Sequence, residues 1–126
     1  KGSGLRFLMN QRELYKLDMI MTRGGILNVH NPRCDYCHQR EGSQMHERIA
    51  RSMTVGNPTA RELSYQPELC NLLCAECHLL ADMEHVDETL WAFSIQLYSL
   101  EAVQAALDRI NEVLKVKVRM KGTAPD

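Results

Sequence analysis

The chain has 126 residues, a net charge of −1, 44% hydrophobic residues and 25% charged residues. This length allows one domain with a helical extension, and the composition is ordinary for a globular protein. No apolar run approaches the roughly 18–20 residues that cross a bilayer, which argues against a membrane-spanning protein. The N-terminus lacks the pattern of a signal peptide, so we expect a cytoplasmic protein.

Charge is unevenly distributed along the chain. Residues 1–51 carry a net charge of +4, residues 52–98 carry −6, and residues 99–126 carry +1. A basic N-terminal third could contact phosphates by counterion release, whereas the acidic middle would repel them unless bound cations neutralise it. A solvated surface with uneven charge explains the same distribution. Charge alone therefore does not decide whether the partner is a nucleic acid.

The N-terminal third is predicted to be helical. Residues 1–4 (Lys-Gly-Ser-Gly) have the composition of an expression-vector remnant, which would make the chain a piece of a longer protein. Apolar spacing predicts a helix over residues 5–22, which the glycine pair at 24–25 would end. Residues 26–30 are short and partly β-branched, and they lead into the first pair of cysteines.

The central part is predicted to hold little regular structure. Residues 44–48 are predicted to form a short strand. Residues 54–68 hold two of the four prolines and are predicted to form a loop, with a turn of helix near residues 60–63. Residues 77–84 are predicted to be helical.

Two helices are predicted in the C-terminal third. Apolar residues recur at helical spacing from 87 to 116, and Ser99 is a plausible N-cap or break between two helices. An amphipathic stripe over residues 103–114 could pack on the core or form a dimer interface, and packing is favoured. The predicted segments are residues 1–4 as a remnant, 5–33 as the N-terminal helix and lead-in, 34–85 as a core, 86–118 as a helical extension and 119–126 as a tail.

Four of the five cysteines form two Cys-x-x-Cys pairs, Cys34/Cys37 and Cys74/Cys77. Each pair places two thiolates on one tight turn, and two such turns complete a closed tetrahedral site for a structural zinc ion. Disulfides are disfavoured in a cytosolic chain, and a redox pair is disfavoured because two copies occur without a thioredoxin-like pattern. The fifth cysteine, Cys70, is expected to be a small buried hydrophobic residue.

Further candidate residues lie between and just after these pairs. His46 and Glu47 follow the first pair, Asn71 comes three residues before the second pair, and His78 directly follows it. The order is therefore Cys-x-x-Cys, His-Glu, Asn and Cys-x-x-Cys-His. Zinc binding alone requires none of the residues His46, Asn71 and His78.

This order of motifs resembles the HNH endonucleases, whose phage and bacterial members carry a zinc-binding cysteine quartet. The resemblance covers about residues 34–82. It implies an α+β fold, in which a small zinc-bound ββα-metal (treble-clef-like) core is flanked by N- and C-terminal helices. It also implies hydrolysis of DNA phosphodiester bonds with Mg²⁺ or Mn²⁺, as a nicking or double-strand endonuclease of phage or mobile-element origin.

The resemblance also implies roles for individual residues. His78 would be a ligand of the catalytic ion, and Asn71 would be a ligand or would hold the loop in shape. In the family, neighbouring residues of the first strand supply a base and a metal ligand. Histidine is suited to deprotonate water near neutral pH, and we favour His46 as the base with Glu47 as a ligand. The reverse assignment and an inactive site stay open, because Met45 replaces the family's acidic residue or histidine before the base.

Three further residues are candidates for binding. Asp82 lies four residues after His78, so on one helix both side chains would face the same way, and its carboxylate would suit Mg²⁺ or Mn²⁺. Arg48 and Arg51 are candidate phosphate contacts, because guanidinium groups bind phosphate as bidentate donors. Each of the three could equally be an ordinary surface residue.

DNA is the expected partner, and a homodimer or a larger phage or bacterial assembly is a further option. The rival hypothesis, from a different class, is a catalytically silent zinc module that binds DNA or a protein. A transcription-factor-like zinc finger is disfavoured, because the sequence contains no strongly basic recognition helix.

Overall fold

The computed structural model describes residues 10–23 and 32–122, and all elements named below belong to those residues. The helices are α1 (Gln11–Thr22), α2 (Pro58–Leu63), α3 (Ala75–Leu79), α4 (Glu84–Tyr98) and α5 (Leu100–Asn111). The strands are β1 (Gln44–Glu47) and β2 (Cys70–Leu73), and short 3₁₀ turns cover Arg51–Thr54 and Pro67–Leu69. The predicted α+β class is confirmed.

Helix α1 begins at Gln11 and not at residue 5 as predicted. Asn10 has an extended backbone, and its side-chain oxygen accepts a hydrogen bond from the Glu13 N–H at 2.9 Å. Such an N-cap satisfies a donor at the first turn and fixes where the helix starts. The helix ends at Thr22, as predicted. The rest of the N-terminal predictions, which concern residues 1–9 and 24–31, lie outside the described residues.

Strands β1 and β2 form an antiparallel pair in which His46 lies opposite Asn71 and Met45 lies opposite Leu72. The predicted strand over residues 44–48 matches β1 to within one residue, whereas the second strand that a ββα core implies was not assigned to any residues. Side chains of a strand alternate between its two faces. One face of the pair buries Met45 and Leu72 against α1, in a cluster with Met19, Ile20, Tyr65 and Cys70.

The segment between the strands contains helix α2, which covers the turn of helix predicted near residues 60–63 and begins two residues earlier. Helix α2 begins at Pro58, and the Asn57 side chain caps it by accepting from the Ala60 N–H at 3.0 Å. Proline suits the first helical position because its missing N–H would have no partner there. The Asn57 side chain also donates to the Val113 carbonyl at 2.9 Å, which ties this segment to the C-terminal part of the chain.

The predicted helix over residues 77–84 is wrong in its bounds. Helix α3 starts two residues earlier and ends at Leu79. From Leu80 to Met83 the chain closes turns with hydrogen bonds to the third preceding residue, and Met83 then has an extended backbone as the N-cap of α4. Asp82 therefore lies in a turn and not on the helix that carries His78.

Helices α4 and α5 are separated at Ser99, which confirms the predicted break. Ser99 has φ 96°, and its hydroxyl accepts from the Ala102 N–H at 3.1 Å as the N-cap of α5. The predicted stripe of α5 packs inside the chain, which confirms packing as its role. Its buried members are Val103, Ala106, Leu107, Ile110 and Leu114, and they form one cluster with Trp91, Leu69 and Ile49.

Helix α4 belongs to the same packing unit as the cysteine pairs. Val86 and Leu90 are fully buried in a cluster with Leu73 of β2 and with three of the cysteines. The predicted boundary between residues 85 and 86 falls inside this helix. Across residues 10–23 and 32–122, no helix combines the length and the apolar character needed to cross a membrane.

Candidate functional site

Four cysteine thiols converge between the loop before β1 and the start of α3. The Sγ atoms of Cys34, Cys37, Cys74 and Cys77 all lie within 4.8 Å of one another, and those of Cys37 and Cys74 are 3.9 Å apart. A tetrahedral zinc ion with Zn–S bonds of ~2.3 Å requires sulfurs about 3.8 Å apart. This cysteine quartet could therefore bind a structural zinc ion.

Hydrogen-bond donors surround the quartet. Three backbone N–H groups donate to its sulfurs, each at 3.4 Å: Tyr36 to Cys34, Gln39 to Cys37 and Cys77 to Cys74. The backbone N–H groups of Gln39 and Arg40 lower the pKa of Cys37 to about 6. Arg40 also donates from Nε to Cys74 Sγ at 3.3 Å. On Cys37 and Cys74 these donors favour the thiolate form, which is the form that ligates zinc, whereas burial and the neighbouring thiols raise the pKa of Cys77 to about 12.

Cys70 is separate from the quartet. It is fully buried, and its Sγ donates to the Ser64 carbonyl at 3.3 Å. Burial raises the pKa of this thiol to about 12. The expectation of a buried, hydrophobic cysteine is confirmed.

His46 and His78 lie beside each other next to the quartet. Their ring centroids are 5.5 Å apart, and the ring planes meet at 70°, edge to face. His46 comes from β1, and His78 comes from α3, one residue after Cys77. Cys74 is the N-cap of helix α3, and its sulfur accepts from the Cys77 N–H, so the fold of the second cysteine pair also fixes where His78 lies.

Gln44 also contacts this histidine pair. It lies two residues before His46 and so on the same face of β1. Its Oε1 is 2.6 Å from Nδ1 of His78, in a partly solvent-exposed position. The sequence analysis missed Gln44, although its period-two spacing from His46 on a predicted strand could have indicated it.

The surroundings of His46 favour a neutral imidazole. Burial has the largest effect and lowers the pKa of His46, and the positive charges of His78 and Arg48 act in the same direction. The carboxylates of Asp82 and Asp87 oppose this effect without reversing it. A neutral imidazole near pH 7 has a free lone pair and can accept a proton.

Asn71 lies opposite His46 but does not present its carboxamide to the histidine pair. It is fully buried, its Oδ1 accepts from Arg48, and its Nδ2 donates to Asp35 Oδ2 at 2.9 Å. Both ends of the carboxamide are therefore occupied. This placement suits the second role predicted for Asn71, which is to hold the loop in shape, and not the role of a metal ligand.

Asp35 is the centre of this buried network. Its carboxylate accepts from Arg23 Nη1 at 2.6 and 2.5 Å, from Asn71 Nδ2 at 2.9 Å and from the Leu72 N–H at 3.1 Å. It thereby connects the end of α1, the first cysteine pair and β2. The sequence analysis missed Asp35, and the only signal was an acidic residue between two metal-binding cysteines.

The structure does not bring Glu47 to the histidine pair. Adjacent residues of a strand point to opposite faces, so Glu47 lies on the α1 face while His46 lies on the other. Its carboxylate pairs with Arg12, whose Nε is 2.6 Å from Glu47 Oε2. The ligand role predicted for Glu47 therefore does not fit this arrangement, because its partner is a guanidinium.

The two predicted phosphate contacts have different environments. The Arg48 guanidinium lies 4.3 Å from the centroid of the Trp91 ring and donates to Asn71 and to the Glu68 carbonyl. Burial lowers its pKa to about 10. Arg48 is thus half-buried, with its guanidinium engaged by partners inside the fold, and this arrangement does not favour the predicted contact to phosphate. Arg51 is exposed at the start of a 3₁₀ turn.

Asp82 is exposed in the turn after α3, close enough to His46 to affect its pKa. Asp82 does not share a helix with His78 as predicted, because α3 has already ended at Leu79. Within residues 10–23 and 32–122, the quartet is the only group of three or more His, Cys, Asp or Glu side chains whose ligand atoms are close enough for one ion. The histidine pair therefore lacks a third preformed ligand from that part of the chain.

Comparisons of the chain with protein-family models, with curated proteins and with solved structures gave no match.

Proposed function

We propose that the chain is an HNH-type endonuclease, stabilised by a zinc ion in the cysteine quartet, that hydrolyses DNA phosphodiester bonds with Mg²⁺ or Mn²⁺. One observation carries the proposal: His46 lies opposite Asn71 in the strand pair and packs against His78, beside the quartet. The four cysteines would need none of these three residues for zinc binding. Their juxtaposition supports a second, chemical role for this part of the molecule.

In the proposed reaction, His46 is the general base. It is neutral because burial lowers its pKa, so it can take a proton from the attacking water. The water oxygen bonds to phosphorus, the bond from phosphorus to the 3′ oxygen breaks, and the departing oxygen takes a proton from a solvent water, which leaves a 5′-phosphate and a 3′-hydroxyl. The reverse assignment, with Glu47 as the base, is disfavoured because Glu47 pairs with Arg12 on the other face.

His78 would hold the divalent ion, and Asp82 is the nearest further candidate for this role. When bound, the ion would stabilise negative charge on the phosphoryl oxygens and on the departing 3′ oxygen. Two protein ligands leave several coordination positions for water and phosphate oxygens, as Mg²⁺ sites commonly have. The exposed Arg51 is the remaining candidate for a phosphate contact. The proposed setting is the cytoplasm of a bacterial or phage-infected cell.

A plasmid-nicking assay tests this proposal. The zinc-loaded chain, His46→Ala and His78→Ala are compared with Mg²⁺ and with Mn²⁺, and the zinc content of each protein is measured. We expect His46→Ala to slow cleavage about 10²–10⁴-fold, as loss of a general base does. We expect His78→Ala to lose the cleavage that the added ion stimulates, because the ion loses its proposed ligand. His85→Ala is the matched control, because His85 is a histidine exposed on α4 that has no role in the proposed reaction. Equal cleavage by all four proteins would contradict the proposal.

A catalytically silent zinc module is the second candidate function. It is favoured by the occupied side chains of Glu47 and Asn71, which leave the histidine pair without the ligands that the motif order predicts. This candidate predicts that the wild type and both histidine variants nick plasmid no faster than a blank with the ions alone. A separate binding measurement on DNA, repeated at several salt concentrations, would then distinguish a DNA-binding module from a protein-binding one.

A further inference from the structure

The contact between Gln44 and His78 constrains which nitrogen of the imidazole carries the proton. Gln44 Oε1 is 2.6 Å from Nδ1 of His78. A carboxamide oxygen only accepts hydrogen bonds, so Nδ1 must be the donor in this contact. A neutral imidazole has one N–H, and Nε2 is therefore the unprotonated nitrogen that keeps its lone pair.

The backbone makes this contact local and specific. Gln44 and His46 are on the same face of β1, and both contact His78, which lies in the last turn of α3. Gln44 thus contacts one nitrogen of His78, while the His46 ring packs edge to face with the His78 ring. Free imidazole populates both neutral tautomers, so the residue that bonds one nitrogen decides which form is present.

We propose that Gln44 is a positioning residue that holds His78 in the Nδ1–H tautomer, so that Nε2 is the nitrogen that binds a divalent ion. The part of this inference that concerns the ion depends on the proposed function, whereas the tautomer does not. Partners of this kind, on the far nitrogen of a metal-binding histidine, typically change metal affinity about 10–100-fold when they are removed.

The tautomer can be read directly by two-bond ¹H–¹⁵N correlation spectra of the zinc-loaded full chain. The spectra are recorded about two pH units above the ordinary imidazole pKa of ~6.5, and the His78 signals are identified by their loss in His78→Ala. We expect Nδ1 to be protonated and Nε2 unprotonated in the wild type. In Gln44→Leu, which cannot accept, we expect the populations to move towards Nε2–H.

Two further variants separate this role from a general effect on structure. Gln44→Glu keeps an acceptor and has no donor, so it should retain the Nδ1–H form. A carboxamide that instead presented its NH₂ group to Nδ1 would make Gln44→Glu behave unlike the wild type. Gln96→Leu is the matched control, because Gln96 is exposed on α4, away from the histidine pair, and it should leave the His78 spectrum unchanged.

The ion is tested with Mn²⁺ alone, through paramagnetic broadening of the His78 signals. Gln44→Leu should require about 10–100-fold more Mn²⁺ than the wild type for the same broadening, and Gln44→Glu should not. An Nε2–H form in the wild type, or an unchanged tautomer in Gln44→Leu, would overturn the inference. If the tautomers are as expected but the wild type and Gln44→Leu bind Mn²⁺ equally well, the metal-binding part of the inference would be overturned. Failure of DNA cleavage alone would overturn the proposed function and leave the tautomer assignment standing.

Discussion

The cysteine quartet and the histidine pair are neighbours in the fold but differ in how complete they are. The quartet has four identical ligand atoms within 4.8 Å of one another and backbone donors on its sulfurs. The histidine pair has two rings, one glutamine contact and no third preformed ligand from the described residues. Cys77 and His78 are adjacent in sequence, so one short helix serves both. The quartet is thus the part of the molecule that could hold an ion with its own side chains, whereas an ion at the histidine pair would need further ligands.

Loss of zinc should have the largest effect. Apparent binding free energies of structural zinc sites are about 10–16 kcal/mol, which is as large as the whole stability of a typical domain, about 5–15 kcal/mol. We therefore expect a strong chelator, or Cys77→Ser, to unfold the chain, as measured by circular dichroism. Cys70→Ala is the control and should keep one bound zinc ion by native mass spectrometry. A chain that stays folded without metal would show that the quartet is not the stabilising site.

Asp35→Asn should have the next largest effect, because Asp35 links the quartet to the strand that faces His46. The change leaves the buried Arg23 guanidinium without its counter-charge. Removing one member of a buried ion pair typically costs about 3–5 kcal/mol, which urea unfolding would measure. Asp18→Asn is the matched control on the exposed side of α1 and should lie within about 0.5 kcal/mol of the wild type. Equal stabilities of the two variants would contradict the buried network.

Arg48→Met should destabilise the chain more moderately. It removes the donor to Asn71 Oδ1 and to the Glu68 carbonyl but keeps an apolar side chain over Trp91. Leaving buried acceptors unsatisfied costs about 1–3 kcal/mol. Arg51→Ala should change stability by less than about 0.5 kcal/mol and, if the chain binds DNA, should weaken that binding and lower its salt dependence. A larger loss of stability in Arg51→Ala than in Arg48→Met would contradict the finding that Arg48 is packed inside the fold and Arg51 is exposed.

The sequence predicted those parts of the molecule whose signals are local. The spacing of the cysteines predicted the quartet, the alternation near residue 45 predicted β1, and Ser99 predicted the break between the last two helices. The order of His46, Asn71 and His78 also correctly indicated that these residues come near one another, although it did not indicate what each side chain contacts.

The contacts that the sequence did not predict are those made by distant residues. Glu47 pairs with Arg12, which is 35 residues earlier in the chain, and Arg48 packs on Trp91 of α4. The residue pattern of a single segment carries no information about such contacts between distant segments. The position of Asp82 was missed for a different reason, because turns with hydrogen bonds to the third preceding residue end α3 where an apolar pattern still continued.

The smallest expected effect concerns the protonation of His46. Its pKa lies below the ordinary value of 6.5, chiefly because of burial. The folded chain therefore binds fewer protons at this position than the unfolded chain, whose pKa is about 6.5. Stability from this group is complete above that pH and falls as the pH drops from about 6.5 to the lower folded-state value, by about 1.4 kcal/mol for each unit of pKa shift.

His46→Gln isolates this term from the pH dependence of the quartet. Acid also protonates the zinc-binding thiolates, but that loss is common to both proteins and cancels in the difference between their unfolding free energies. We expect the wild type to lose stability relative to His46→Gln as the pH falls below about 6.5, with NMR titration of the His46 ring giving a lower pKa in the folded chain than in urea. A stability difference that is constant with pH, together with an equal pKa in both states, would mean that His46 is as solvated as a free imidazole. His46, the base proposed for the histidine pair, would then lack a buried environment that keeps its ring neutral. The pair would differ from the enclosed quartet in its solvation as well as in its number of ligands.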